Sequence, residues 1–360
     1  MSVPRLTVRS VEATAVTVPL ARPIRTAVGT IPAAPLVLIE IQTEEGPRGC
    51  AYIFAYTPAA LAGLHRLVLD ISAELTQKPA APLDVMCHWD RRFRLLGWQG
   101  LVGMAVSGLD MALWDALGRA AEAPVATLLG AAPKPLLAYA SFGLIDPAAD
   151  GAAIETALSE GFQAIKIKVG GGDLARDIAA VKLVRSIAGP DIRLMIDYNQ
   201  SLDGPEAIRR IRRLAAFDLH WVEEPVAAEN LAGHAEVRAA CGVSIQTGEN
   251  WWFPADMAAA LAAGASDHAM PDLMKIGGFT GWMQAAALAS VRNMPISSHI
   301  FVEASAHALA ATPTAHMIEH LDKASAILVE PLAPKAGHVT ARGPGLGIEF
   351  DRDAVARFKS

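Results

Sequence analysis

The chain has 360 residues, 52% of them hydrophobic, and a formal net charge of −6 at pH 7, enough for one large or two moderate domains around a sizeable core. No block of Lys or Arg marks a nucleic-acid or anionic-membrane surface, so neither partner is expected. Cys50, Cys87 and Cys241 are isolated, odd in number and without metal-type spacing, as in reduced thiols of a cytoplasmic protein.

The first twenty residues alternate (Leu6, Val8, Val11, Ala13, Ala15, Val16, Val18) and carry charges, which fits a strand and not a signal peptide. Strands at 6–18, 36–42 and 49–54, the last two joined by the turn Glu44-Glu45-Gly46-Pro47, form an antiparallel meander. Helices follow at 58–76 and 102–121, the second burying Met104, Leu109, Met111, Leu113 and Leu117. Pro133-Lys134-Pro135 then breaks the chain, and a strand at 136–140 opens a regular alternation of strand and helix. The helices at 173–187 and 205–216 are amphipathic, the second turning Ile208, Ile211 and Leu214 inward. The Ala-rich stretch 257–265 is too short to span a bilayer. Past Glu330-Pro331 a Gly/Pro-rich tail begins. The expected organisation is an α+β domain over 1–131, a barrel over 132–330, and a tail over 331–360 that returns to the first domain.

Within the barrel segment the apolar runs stop at charged residues. They end at Lys168, Asp197, Glu223, Glu249, Asp272, His299 and Glu319, about 20–29 residues apart, roughly one strand–loop–helix–loop unit. Such a series is expected of a (β/α)8-type (TIM) barrel with its active site at the strand C-termini. Asp197, Glu223 and Glu249 then fall on three adjacent strands, where mutual repulsion calls for a cation. One carboxylate alone reads better as a helix cap or a rim ion pair, but three in sequence favour a hard ion, Mg²⁺. Lys166 and Lys168, two apart on one strand, both point inward, and facing ammonium groups are expected to depress each other's pKa, leaving Lys168 as a base. His299 follows Ser297-Ser298, and Asp272 ends the preceding strand, which gives a His–Asp dyad. Lys275 is a rival base on that side. Glu319 is expected to be a protonated acid or a hydrogen-bond partner. His316, His320 and His338 carry no such signal.

These residues resemble the mandelate racemase branch of the enolase superfamily along nearly the whole chain. The resemblance is carried by Asp197-Tyr198-Asn199-Gln200-Ser201-Leu202, Gly248-Glu249-Asn250-Trp251 and Met270-Pro271-Asp272-Leu273-Met274-Lys275-Ile276-Gly277-Gly278. Ser297-Ser298-His299 and Ala310-Ala311-Thr312-Pro313-Thr314-Ala315-His316 complete it. It implies a (β/α)7β barrel under an α+β capping domain that the tail completes, and a homo-oligomer. The segments 24–31 and 54–58 look like lid segments of that branch. They imply that Ile24, Val28, Ile31, Phe54 and Tyr56 contact the substrate through a largely apolar lid suited to an aryl ring, while Phe142 stands in the strand-one mouth where a polar residue is expected. The implied reaction is racemisation of a 2-hydroxy carboxylate, in first place an aryl one such as mandelate. Lys168 and His299, oriented by Asp272, exchange the α-proton through an enolate whose charge Mg²⁺, Lys166 and Glu319 offset, and Ser141 and Asn199 hydrogen-bond the substrate or the metal shell. The alternative within the superfamily is an acid-sugar dehydratase, in which His299 expels a β-hydroxyl. A non-catalytic binding protein should lack a ligand or a base, and none is missing here.

Overall fold

The computed structural model describes residues 5–27 and 29–360. Val28 lies outside the described residues. Three antiparallel strands, β1 (Val8–Thr26), β2 (Gly29–Thr43) and β3 (Arg48–Phe54), lie in the order β1-β2-β3. The central strand is apolar on both faces (Leu36, Val37, Leu38, Ile39 and Ile41 are all buried) because helices and the chain's tail cover the sheet. The meander is longer than the sequence alternation indicates. After a bulge between Pro19 and Ile24, pairing resumes with Ile24 opposite Ile31 and Thr26 opposite Gly29. Prolines at 19, 23 and 32 disguise this stretch as a loop, yet an edge strand tolerates residues that cannot donate to the ladder. The lid is therefore the tip of the sheet.

Helices α1 (Pro58–Ser72), α2 (Pro82–Arg92), α3 (Leu101–Ala120) and α4 (Val125–Leu128) complete this cap. By length and composition α3 passes as a membrane span, but it is mostly buried between the cap sheet and the barrel. The polar tie at its far end is Asp115. Its Oδ2 accepts the Cys50 N–H and pairs with Arg119, while Oδ1 accepts the Leu346 N–H. One buried carboxylate thus joins α3, β3 and the tail.

Eight parallel strands then close a barrel: β4 (Leu136–Leu144), β5 (Ala164–Lys168), β6 (Arg193–Asp197), β7 (Leu219–Glu223), β8 (Ile245–Thr247), β9 (His268–Ala269), β10 (Ile296–Ser298) and β11 (Ala315–His320), the last bonded back to β4. Helices fill the seven crossovers: α5 (Gly151–Ser159), α6 (Leu174–Ala188), α7 (Gly204–Leu214), α8 (Leu231–Cys241), α9 (Phe253–Ala263), the pair α10 (Leu273–Ile276) and α11 (Gly278–Ser290), and α12 (Val302–Ala310). Side-chain caps from Asp173, Asp203, Asn230 and Asp272 start α6, α7, α8 and α10, each satisfying N–H groups that a helix start leaves free. After β11 the chain leaves the barrel in irregular backbone, lays β12 (His338–Val339) against the start of β4, and ends in α13 (Arg352–Phe358). There Val16 bridges Lys359, and Ala15 O accepts the Ser360 N–H. This is a TIM-type barrel in (β/α)7β form.

The barrel's interior is packed. Tyr139, Ala164, Met195, Trp221 and Met317 fill its middle. At the N-terminal ends of β7, β9 and β11 the rings of His220, His268 and His316 lie 5.1–5.9 Å apart. With the floor closed, chemistry is confined to the opposite mouth.

Candidate active site

Asp197 and Glu223 end adjacent strands in matched register. Glu249 follows β8 by two residues, and Gly248 makes this possible. At φ +139° a Cβ there would stand 2.9 Å from the Met270 backbone, so only glycine lets the next strand pass this close. All three carboxylates are buried, with ligand oxygens within 4.8 Å of one another. Their orientations are held individually. Asp197 accepts the Asn199 N–H at 2.7 Å and its Nδ2 at 3.1 Å; Glu223 Oε2 accepts Trp221 Nε1 at 3.2 Å and Gln246 Nε2 at 3.3 Å. Burial, reinforced by Asp197 and Glu249 and opposed by Lys166, pushes Glu223 up to about 8. Three hard oxygens pressed together without thiol or imidazole fit Mg²⁺.

Lys166 and Lys168 both turn inward from β5. Lys166 Nζ lies 2.5 Å from Glu223 and 2.9 Å from Glu319, and Lys168 Nζ lies 2.5 Å from Asp197. The pair's mutual depression is opposed by the carboxylates. Burial pulls Lys168 down and Lys166 adds to that, but Asp197 and Glu249, while no cation offsets their charge, outweigh both and raise its pKa; Lys166 is raised further. A cation on the triad would remove most of that opposing charge. Of the two roles expected of Glu319, the structure shows the hydrogen-bond partner, which accepts the Ile300 N–H at 3.0 Å and pairs with Lys166. Burial favours its protonated form, yet Lys166 and His299 hold its pKa well below the usual carboxylate range.

On the opposite flank, His299 Nδ1 donates to Asp272 Oδ2 at 2.6 Å, while Asp272 Oδ1 caps α10 through the Met274 N–H at 2.6 Å. His299 Nε2 faces Glu249 at 3.3 Å. Burial lowers its pKa, but Glu249 and Asp272 more than compensate and raise it. Lys275 is tied elsewhere: its Nζ donates to Asn250 Oδ1 at 2.6 Å, and Asn250 in turn donates to the buried Glu224. Ser141 pairs in register with Lys166, its buried hydroxyl without a hydrogen bond of good geometry. Asn199 belongs to the Asp197 shell.

The lid rests directly on the barrel. A Cβ on Gly143 of β4 would meet the Arg25 backbone at 2.6 Å, and Asp150, at the start of α5, pairs with Arg22 and Arg25. Ile24 is buried, lining a cleft of about 890 Å³ with Ser141, and Ile31 opposite it is half-buried. Phe54 is buried, its ring 4.7 Å from that of Tyr56. Phe142 lines the same cleft as Ser141 and Ile24, its ring 5.2 Å from the Arg22 guanidinium. One expectation changes here: the lid is not uniformly apolar, because Lys275 stands 4.7 Å above Tyr56 and Lys323 stands 4.9 Å above Phe54. Sequence reasoning passed over Lys323 and Glu224; the available signals were a lysine four residues past Glu319 and the doubled Glu223-Glu224.

A capped (β/α)7β barrel with carboxylates on three consecutive strand ends defines an enzyme class, and comparison with known proteins agrees. Residues 8–130 match the mandelate racemase / muconate lactonizing enzyme N-terminal domain, and residues 149–354 the enolase C-terminal domain-like family. The chain belongs to the mandelate racemase / muconate lactonizing enzyme family of the enolase superfamily. It is 34% identical to a 3,6-anhydro-alpha-L-galactonate cycloisomerase of Streptomyces coelicolor over 89% of this chain and 91% of that one. It is 37% identical to a D-galactarolactone cycloisomerase of Agrobacterium fabrum over 73% and 76%. Its structure superposes with a TM-score of 0.97, at 54% identity and full coverage of both chains, on an enolase from Bradyrhizobium complexed with magnesium and mandelic acid. Dehydratases and epimerases are among its other relatives.

Proposed function

We propose that the protein removes and returns the α-proton of a 2-hydroxy acid, with Lys168 and His299 as bases on opposite faces, and so racemises it. The observation that carries this is the flanking geometry: Lys168 lies against Asp197 at one end of the carboxylate triad, and His299 against Glu249 at the other. Mg²⁺ held by Asp197, Glu223 and Glu249 supplies positive charge to the substrate's carboxylate and so makes its α-proton more acidic. Lys166 adds an ammonium beside the same carboxylate, and Glu319 fixes Lys166 in place. With a divalent cation on the triad, Asp197 would no longer hold Lys168 in its charged form, and the neutral amine would take the proton of one enantiomer. His299, its Nδ1 proton committed to Asp272, works through Nε2 on the other. The mandelic acid in the Bradyrhizobium complex supports an aryl-sized substituent against Ile24, Ile31 and Phe54.

A second reading is favoured by the cycloisomerase and dehydratase relatives. In it the same abstraction acts on a sugar acid, and His299 serves as the acid for a leaving β-oxygen. Solvent deuterium exchange separates the two. Racemisation predicts that His299→Asn abolishes interconversion but retains α-exchange of one enantiomer, and that Lys168→Ala retains only the mirror-image exchange, each loss being about 10²–10⁴-fold. Undiminished racemisation by His299→Asn sinks the two-base reading. A keto-acid or lactone product from a sugar acid establishes the second.

A further inference from the structure

One buried cation near the site has no part in this proton transfer. Lys323 lies in the irregular segment after β11 and is only 9% exposed. Among the described residues it makes no ion pair and no hydrogen bond; its ammonium contact is the face of Phe54 at 4.9 Å. Burying an ammonium without a counter-ion is costly, and an aromatic face offsets little of that cost. Lys323 lines the same cleft as Ser141 and Ile24. Burial pushes its amine down to about 8, and the shared cleft brings it to the side of β4 where Ser141 stands in register with Lys166.

We propose that Lys323 binds an acceptor oxygen on the far end of the substrate, so that the preferred 2-hydroxy acid carries a hydroxyl or carboxylate on the substituent that lies against Phe54. This rests on the 2-hydroxy-acid reading above and narrows its substrate class. A bare phenyl group would displace water from the ammonium and offer it no partner, whereas an oxygen there completes it, and a site built around a polar contact discriminates strongly against the analogue lacking it.

The test uses the magnesium-loaded protein and three probes: mandelate, 4-hydroxymandelate and galactarate. Calorimetry reads binding, and deuterium exchange reads chemistry. The wild type should bind at least one oxygen-bearing acid about tenfold or more tighter than mandelate, and Lys323→Met should erase most of that ratio while Lys323→Arg keeps part of it. Preference for 4-hydroxymandelate assigns a hydroxyl partner, and preference for galactarate a carboxylate. Equal weakening of all three acids by Lys323→Met, or no preference in the wild type, overturns the proposal. Should the variants not fold, acylation of Lys323 in the wild type, followed by mass spectrometry, replaces them. The favoured acid should protect Lys323 where mandelate does not, and equal protection overturns the assignment. Selective binding without α-exchange of any acid would reject the proton-transfer reading alone; exchange without selectivity would reject the Lys323 assignment alone.

Discussion

Asp272 uses one oxygen to begin α10 and the other to hold His299, so the imidazole is positioned by a group that the backbone itself fixes. Replacing it with Asn keeps the size but removes the charge. His299 works as a base only when neutral, and its hydrogen bond to Asp272 raises its pKa; exchange on its face should therefore fall as pH drops through that pKa. In Asp272→Asn the inflection should move to lower pH and the plateau should fall by about 10²–10⁴-fold, with the Lys168 face retained. An unmoved inflection in the pH–exchange profile would detach Asp272 from His299. Glu249→Gln should weaken Mg²⁺ binding in a calorimetric titration and cost about 3 kcal/mol of transition-state stabilisation. The triad, Lys168 and His299 were legible in the sequence because each closes an apolar strand at a regular interval. The pairing of Glu319 with Lys166 was not, since it depends on Lys166 reaching across from β5. Lys323 was hidden because irregular backbone gives a residue no periodic position.

The lid hairpin shows how an element's register assigns its residues. Ile24 and Ile31 are cross-strand partners and so share one face. Trimming Ile31 to Ala should weaken an aryl substrate by roughly 1–3 kcal/mol in kcat/KM; an unchanged value would place the ring elsewhere. The helix-to-tail tie makes a separate prediction. Asp115→Ala leaves two buried N–H groups without an acceptor and Arg119 with only the Ile348 carbonyl, and should lower unfolding free energy by about 2–4 kcal/mol in urea titrations. Barrel strands and their order could be read from composition because each is short, apolar and bounded. The hairpin's extension could not, because proline and glycine signal loops wherever the neighbouring strand is unknown.

Across the whole molecule, the histidine floor sets an acid limit. Burial, with repulsion from their neighbours, lowers His220 to about 4 and His316 to about 3, and burial lowers His268. The unfolded chain takes up these protons near pH 6.5, while the folded floor refuses them until far lower pH. Stability should therefore decline as pH falls below about 6.5, levelling off at about 3–4, and His316→Gln should flatten part of that slope in urea midpoints measured against pH. An identical slope in the variant would rule the floor out as its source.

The meeting of Thr17 and Ser360, 343 residues apart in sequence, has a consequence for how the molecule is made. Strand β1 is translated 343 residues ahead of its partner at the tail. At about 5–20 residues per second that interval is roughly 20–70 s. Throughout it the barrel can assemble beside a cap whose apolar underside is still uncovered, so a nascent chain stalled before residue 340 should bind holdase chaperones and yield to protease within the cap first.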